Sequence, residues 1–145
     1  MKFIADVMMG RLAKRLRLLG FDVLYERSFT DNDIIRFSLE QHRVILTRDT
    51  ELAKRPLATN HCFIKSDNVR YQLKQVLAEF DLAEYAEPLT RCSACNEPLI
   101  SILKQEVQHL VPQHVYENNQ EFSHCPKCER TYWKGTHVKH KNFIS

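Results

Sequence analysis

Short apolar runs alternate with stretches of helical spacing through the first half of the chain. Residues 2–5 (Lys-Phe-Ile-Ala) predict a strand that ends on Asp6, and Gly10 precedes a predicted helix over residues 11–19 that Gly20 closes. On that helix Leu12, Leu16 and Leu19 share one face, and Arg11, Lys14, Arg15 and Arg17 are expected to cover the remainder. Residues 22–25 predict a second strand, and residues 28–32 a polar loop that leads through a helix cap into Ile34, Ile35, Phe37 and Leu39. A third strand over residues 43–47 runs directly into Arg48 and Asp49, where a short helix is expected until Pro56 stops it. Cys62, Phe63 and Ile64 predict a fourth strand, followed by an amphipathic helix over about residues 68–80 with Val69, Leu73, Val76, Leu77 and Phe80 inward. Strands and helices alternating in this way predict an α/β fold, a parallel sheet flanked by helices on both faces.

Residues 83–90, which contain Pro88, read as a linker, dividing a first domain (1–86) from a second (90–145). Chemistry is segregated between them. All seven Asp precede the linker's end, whereas four of the five Cys and five of the seven His follow it. Cys92-Ser-Ala-Cys95 and Cys125-Pro-Lys-Cys128 bracket a stretch whose Leu99, Ile100, Val107, Leu110, Val111 and Val115 suggest short antiparallel strands. Two cysteines separated by two residues can donate to a metal from one tight turn, and two such pairs complete a tetrahedral zinc shell with no open position. Zinc at Cys92, Cys95, Cys125 and Cys128 is therefore expected to be structural, supplying much of the folding energy of a small unit. A redox dithiol or an iron centre uses the same residue type. Cys62, inside a predicted strand, reads as an inert core thiol.

At 145 residues and 17.1 kDa the chain is too short for a transporter, a long solenoid or a protein kinase, and 43% hydrophobic content with 3 Gly and 5 Pro argues against disorder. No apolar run reaches the length of a membrane span and no export signal opens the chain, so a cytoplasmic protein with reduced thiols is expected. Net charge is only +3, so bulk charge selects no partner.

Local charge is more informative. In an open parallel sheet ligands meet the carboxyl ends of the strands, where Asp6 and Asp49 stand. Asp31 and Asp33 lie at the start of the second helix and Glu40 near its end, with Glu51 and Asp67 as further acids. Converging carboxylates could hold magnesium or manganese and activate water against phosphorus, although each acid could instead cap a helix. Arg11, Arg15, Arg17, Arg48 and Arg70 could hold phosphate. Arg130, Tyr132, Trp133, Lys134, His137, Lys139, His140 and Lys141 alternate aromatic and basic groups, as nucleic-acid surfaces can, though Trp133 could equally pack against the zinc site.

Asp6 with the run from Gly10 to Gly20, then Leu46-Thr47-Arg48-Asp49, then Arg91-Cys92-Ser93-Ala94-Cys95-Asn96, and finally Cys125-Pro126-Lys127-Cys128 with Tyr132-Trp133-Lys134-Gly135-Thr136-His137, resembles the Mut-seven C-terminal RNase domain family. The resemblance covers nearly the whole chain. It implies a PIN-like nuclease domain joined to a zinc ribbon, with Asp6, Asp31 and Asp49 as catalytic acids and Arg11 and Arg17 as basic positions beside them. The expected activity is metal-dependent hydrolysis of RNA, with Arg48, Trp133, Lys134 and His137 as further substrate contacts. RNA is then the expected partner, RNA-associated proteins are further candidates, and no membrane is involved. A non-catalytic RNA-binding or adaptor module is the competing reading, because fold similarity does not transmit activity. A small-molecule phosphoryl-transfer enzyme is disfavoured, since no GxxxxGK[ST] loop is present.

Overall fold

The computed structural model describes residues 1–134. Its first unit is a four-stranded, all-parallel sheet in the order β2-β1-β3-β4, built from β1 (Lys2–Ala5), β2 (Asp22–Leu24), β3 (Val44–Thr47) and β4 (His61–Phe63). Helix α1 (Gly10–Leu18) connects β1 to β2, α2 (Asp31–Gln41) connects β2 to β3, and the short α3 (Thr50–Ala53) connects β3 to β4. After β4 comes α4 (Val69–Glu79). Successive strand residues face opposite sides of the sheet, so two cores form. On one side Phe3, Ala5, Val44 and Leu46 meet Leu12, Leu16, Leu73 and Val76 from α1 and α4. On the other, Ile4 and Ile45 meet Ile34, Ile35 and Leu52 from α2 and α3. Strand order reverses between β1 and β3, and in open parallel sheets ligands meet the carboxyl ends of the strands at such a switch point.

The second unit is a three-stranded antiparallel sheet, β5 (Ile100–Ile102), β6 (Phe122–His124) and β7 (Thr131–Trp133), with α5 (Gln113–Asn118) between β5 and β6. The expectation of strands throughout this stretch holds only in part. Val107 follows a 3-10 turn and Val115 lies on α5, which begins just after Pro112, a residue that suits a helix start. These side chains close over Phe122 and Trp133 as a small separate core.

The connection between the units is structured. Backbone N–H groups of Glu87 and Leu89 donate to the carbonyls of Leu19 and Leu18 at 2.8 and 3.2 Å, satisfying acceptors that the end of α1 leaves unpaired. Gly20, at φ +93°, lets this segment approach: a Cβ there would lie 2.6 Å from the Glu87 carbonyl oxygen.

Arg17 departs from the sequence expectation. It is 5% exposed rather than displayed for substrate. Its Nε donates to the Val23 carbonyl at 2.9 Å, and its Nη1 to those of Ser93 and Ala94 at 3.1 and 3.3 Å. Six positions beyond Arg11, it lies about 9 Å further along the helix axis, toward the amino ends of the strands. Asn96 completes the junction, accepting from the Val23 N–H at 3.0 Å and donating to Asp22 at 2.7 Å, while Asp22 is ion-paired with Arg43 at 2.8 Å. Arg17 and Asn96 thus cover the open edge of β2 with the first cysteine turn, removing an unpaired strand edge. Arg17→Met leaves three carbonyls without their donor and is expected to cost about 2–4 kcal/mol in chemical denaturation, with a separate early transition for the second unit; a single unshifted transition would contradict this.

Candidate active site

Asp6 follows β1, and its backbone N–H donates to the Leu46 carbonyl of β3 at 3.1 Å, so it extends the central ladder by one residue. The residue is 4% exposed. One carboxylate oxygen accepts the Met8 N–H at 2.8 Å, and the other accepts the hydroxyl of the fully buried Thr47 at the end of β3. The same hydroxyl oxygen accepts the Asp49 N–H at 2.9 Å. Asp49 in turn caps α3, its Oδ1 accepting from Glu51 and Leu52 at 2.8 and 3.3 Å. Thr47 therefore ties together the segments that carry two acids. The sequence offers one signal for it, a hydroxyl residue closing an otherwise apolar strand.

Burial pushes the Asp6 carboxyl above its ordinary range; hydrogen bonds from Thr47 and Met8 oppose that rise, and the charges of Asp49 and Asp31 add to it. Three acids thus share one electrostatic neighbourhood. Asp31 is exposed in the first turn of α2, whereas Asp33 is consumed locally, exchanging hydrogen bonds with Thr30 in a capping box and pairing with Arg36 at 3.4 Å. Glu40 lies nine positions beyond Asp31 on the same helix, about 13 Å along its axis and away from the crevice. Glu51 and Asp67 are exposed, the latter in the loop after β4.

Among the described residues no cation is ion-paired with Asp6, Asp31 or Asp49. A buried carboxylate beside two other acids is the donor set a hard divalent ion takes, with oxygen ligands and room for water. The acids are not drawn into a closed cage, since the one described group whose ligating atoms all lie within 4.8 Å of one another is the cysteine quartet. Arg48 is exposed above the same strand ends, its guanidinium donating to the Ile64 carbonyl at 3.2 Å, and Arg11 is exposed at the start of α1.

The two cysteine turns repeat one geometry. In the first, Cys92 N–H donates to Glu97 O, Asn96 N–H to Cys92 O and Cys95 N–H to Cys92 Sγ; in the second, Cys125, Glu129 and Cys128 make the equivalent bonds. Asn96 and Glu129, at φ 68° and 66°, turn the chain at matching positions. Cys92 and Cys128 sulfurs lie 3.6 Å apart, near the roughly 3.8 Å edge of a tetrahedron with 2.3 Å metal–sulfur bonds and too far for a disulfide. Burial raises the Cys128 thiol, but hydrogen bonds from the Arg130 backbone and side chain and from the Cys95 and Cys125 thiols together outweigh it and bring the group down to about 6. Such a donor set fits a thiophilic ion.

The remaining sequence candidates separate. Trp133 is half-buried against Val107, Val115 and Phe122, so it packs the second core; Tyr132 reaches the cysteines instead, its hydroxyl 3.2 Å from Cys92 Sγ. Lys134 is exposed, and His137, Lys139, His140 and Lys141 lie outside the described residues. Cys62 is buried and donates to Glu79 at 3.0 Å, with its thiol pushed up to about 12 by burial and then by the Glu79 carboxylate. Among the described residues no helix is long and apolar enough to cross a membrane.

Compared with known proteins, the chain matches the family model described as the Mut7-C RNAse domain over residues 1–144. No curated protein and no solved structure matches it.

Because the folded pKa of Asp6 is raised, its contribution to stability is present below the unfolded value of 3.8 and lost as pH rises through the folded one. In metal-free buffer at pH 7, Asp6→Asn is expected to stabilise the fold by about 1 kcal/mol, a gain that shrinks as pH falls toward 3.8. Asp49→Ala, which removes a helix cap, is expected to cost about 1 kcal/mol, while Asp49→Asn keeps the cap. Thermal melts across pH check both; a destabilised Asp6→Asn protein at neutral pH would contradict the account.

Proposed function

Since the chain belongs to the Mut7-C RNAse domain family, we propose that it is a metal-dependent ribonuclease, hydrolysing RNA phosphodiester bonds at the crevice of Asp6, Asp49 and Asp31. The observation that carries this reading is the buried Asp6 carboxylate at the switch point, raised by burial and by two neighbouring acids, with no cation among the described residues ion-paired to them.

Magnesium or manganese held by these three acids would neutralise charge on the phosphate and acidify a bound water. The chain's own residues set the arrangement. Thr47 and the Met8 N–H hold Asp6 in one orientation, each carboxylate oxygen keeping a lone pair. Asp49 commits Oδ1 to α3 and leaves Oδ2 for a ligand. Asp31 adds negative charge from the start of α2. Arg48 and Arg11, exposed on either side, attract and orient the phosphodiester backbone. Arg17 is committed to the junction and takes no part in binding.

Zinc on the four cysteines would hold the second unit in shape, with reduced cytoplasmic surroundings keeping the thiols available. Lys134, and beyond the described residues His137, extend the RNA contact. The non-catalytic RNA-binding alternative is favoured by one observation, the absence of a tight carboxylate cage among the described residues. Magnesium, which is commonly held by one or two carboxylates together with water and substrate phosphate, does not need such a cage.

End-labelled single-stranded and hairpin RNAs incubated with zinc-loaded protein are expected to be cut with magnesium or manganese and left intact without them. Asp6→Asn and Asp49→Asn, both folded, are expected to lower the rate about a hundredfold or more. Acid that protonates Asp6 competes with the metal for its carboxylate, so activity should fall as pH falls, and sooner at low metal concentration. Equal cleavage by wild type and both variants would overturn the assignment of these acids; tight RNA binding with no products from any protein would favour the adaptor.

A further inference from the structure

Of the eleven arginines, nine are engaged by other groups in the protein, through carbonyls, side chains or carboxylates. The two left without a hydrogen bond or ion pair among the described residues, Arg11 and Arg27, lie far apart in sequence yet line the same cleft. This open cleft, of about 460 Å³, is formed by the turn after β1 and the loop after β2, with Val7, Met8, Gly10 and Tyr25 as its remaining walls. No acid lines it. Met8 is 82% exposed and Val7 42% exposed, so the two guanidinium groups flank an apolar shelf that water covers at a cost.

The shelf is continuous with the acidic crevice, because the Met8 backbone N–H is the group that binds Asp6 at 2.8 Å. The cleft floor is fixed as well. The Tyr25 hydroxyl donates to the Val7 carbonyl at 2.9 Å, and the ring lies so close to Gly10 that a Cβ there would sit 2.8 Å from its oxygen and 3.0 Å from its Cζ. Absence of a side chain at position 10 therefore lets an aromatic ring bridge the two loops. Arg27 was not apparent from the sequence, although it follows a strand end as Asp6 and Asp49 do.

We infer that this cleft is a nucleotide subsite for the residue adjoining the scissile phosphate. Its phosphate lies on Arg11 and Arg27, and its base lies against Met8, Val7 and the Tyr25 ring. Guanidinium forks match phosphate oxygens, and an apolar, aromatic surface receives a base only when that base is unstacked and unpaired. The inference rests on the ribonuclease reading of the neighbouring acids and narrows its substrate class to single-stranded RNA, including unpaired loops, over duplex.

The test uses full-length, zinc-loaded protein carrying Asp6→Asn, titrated into a fluorescein-labelled single-stranded RNA of about ten nucleotides and into a duplex of the same length. Adding Arg27→Gln is expected to weaken single-strand binding about tenfold, and adding Met8→Ala about threefold, with duplex affinity unchanged. Both side chains are exposed, and thermal melts verify that each variant is folded. In the cleaving protein Arg27→Gln is expected to raise KM about tenfold and leave kcat within about twofold. Single-strand binding unchanged in both variants overturns the subsite, as does an equal loss on duplex. Should wild-type protein cut no RNA with either metal, the ribonuclease reading fails separately, and the binding titration alone decides the subsite.

Discussion

The hydroxyl of Thr47 is the point on which the first unit's chemistry turns. It is fully buried at the end of β3, donates to the Asp6 carboxylate at the end of β1 and accepts the Asp49 N–H that begins the next turn. A carboxylate in such a place is costly unless its oxygens find donors. Thr47 and the Met8 N–H supply two, enough to hold the group but too few to cancel burial and the charges of Asp49 and Asp31. The strain of keeping three acids together falls on folding stability, and a bound cation would relieve it.

The second unit solves a different problem. A three-residue strand such as β2 exposes an open edge, and a unit whose apolar core, among the described residues, buries Val107, Val115 and Phe122 has little hydrophobic stabilisation of its own. Docking the first cysteine turn on β2 through Arg17 and Asn96 answers both. Burial lowers the affinity of the Arg17 guanidinium for a proton, and the negative charges of Cys92, Glu26 and Cys95 counter that loss. Four thiolates on a divalent ion would carry a net charge of about −2, which a guanidinium at the junction would partly offset.

Most of the first unit was legible because its signals are local. Apolar runs marked all four strands, and the positions just after them located Asp6 and Asp49. The cysteine spacing was legible for the same reason, each pair being one tight turn. Arg17 was not, since a guanidinium on a helix reads as surface unless the element that buries it is known, and the carbonyls of Ser93 and Ala94 lie 76 and 77 residues away. Trp133 and Tyr132 are adjacent in sequence on one strand, and only the fold of the second sheet sends one to the apolar core and the other to the cysteines. Arg27 and Arg11 likewise acquire meaning together, through a tyrosine packed on a glycine that no periodicity announces.

The central claim is that the acids around Asp6 hold a divalent cation. Titrating Mn²⁺ into zinc-loaded protein, with the free ion followed by electron paramagnetic resonance and magnesium as competitor, tests it without reference to any substrate. Saturable binding that magnesium displaces, and that is lost in the folded Asp6→Asn protein, is the result this account requires. Binding of the same affinity in that variant, or no binding to the wild type, would contradict it.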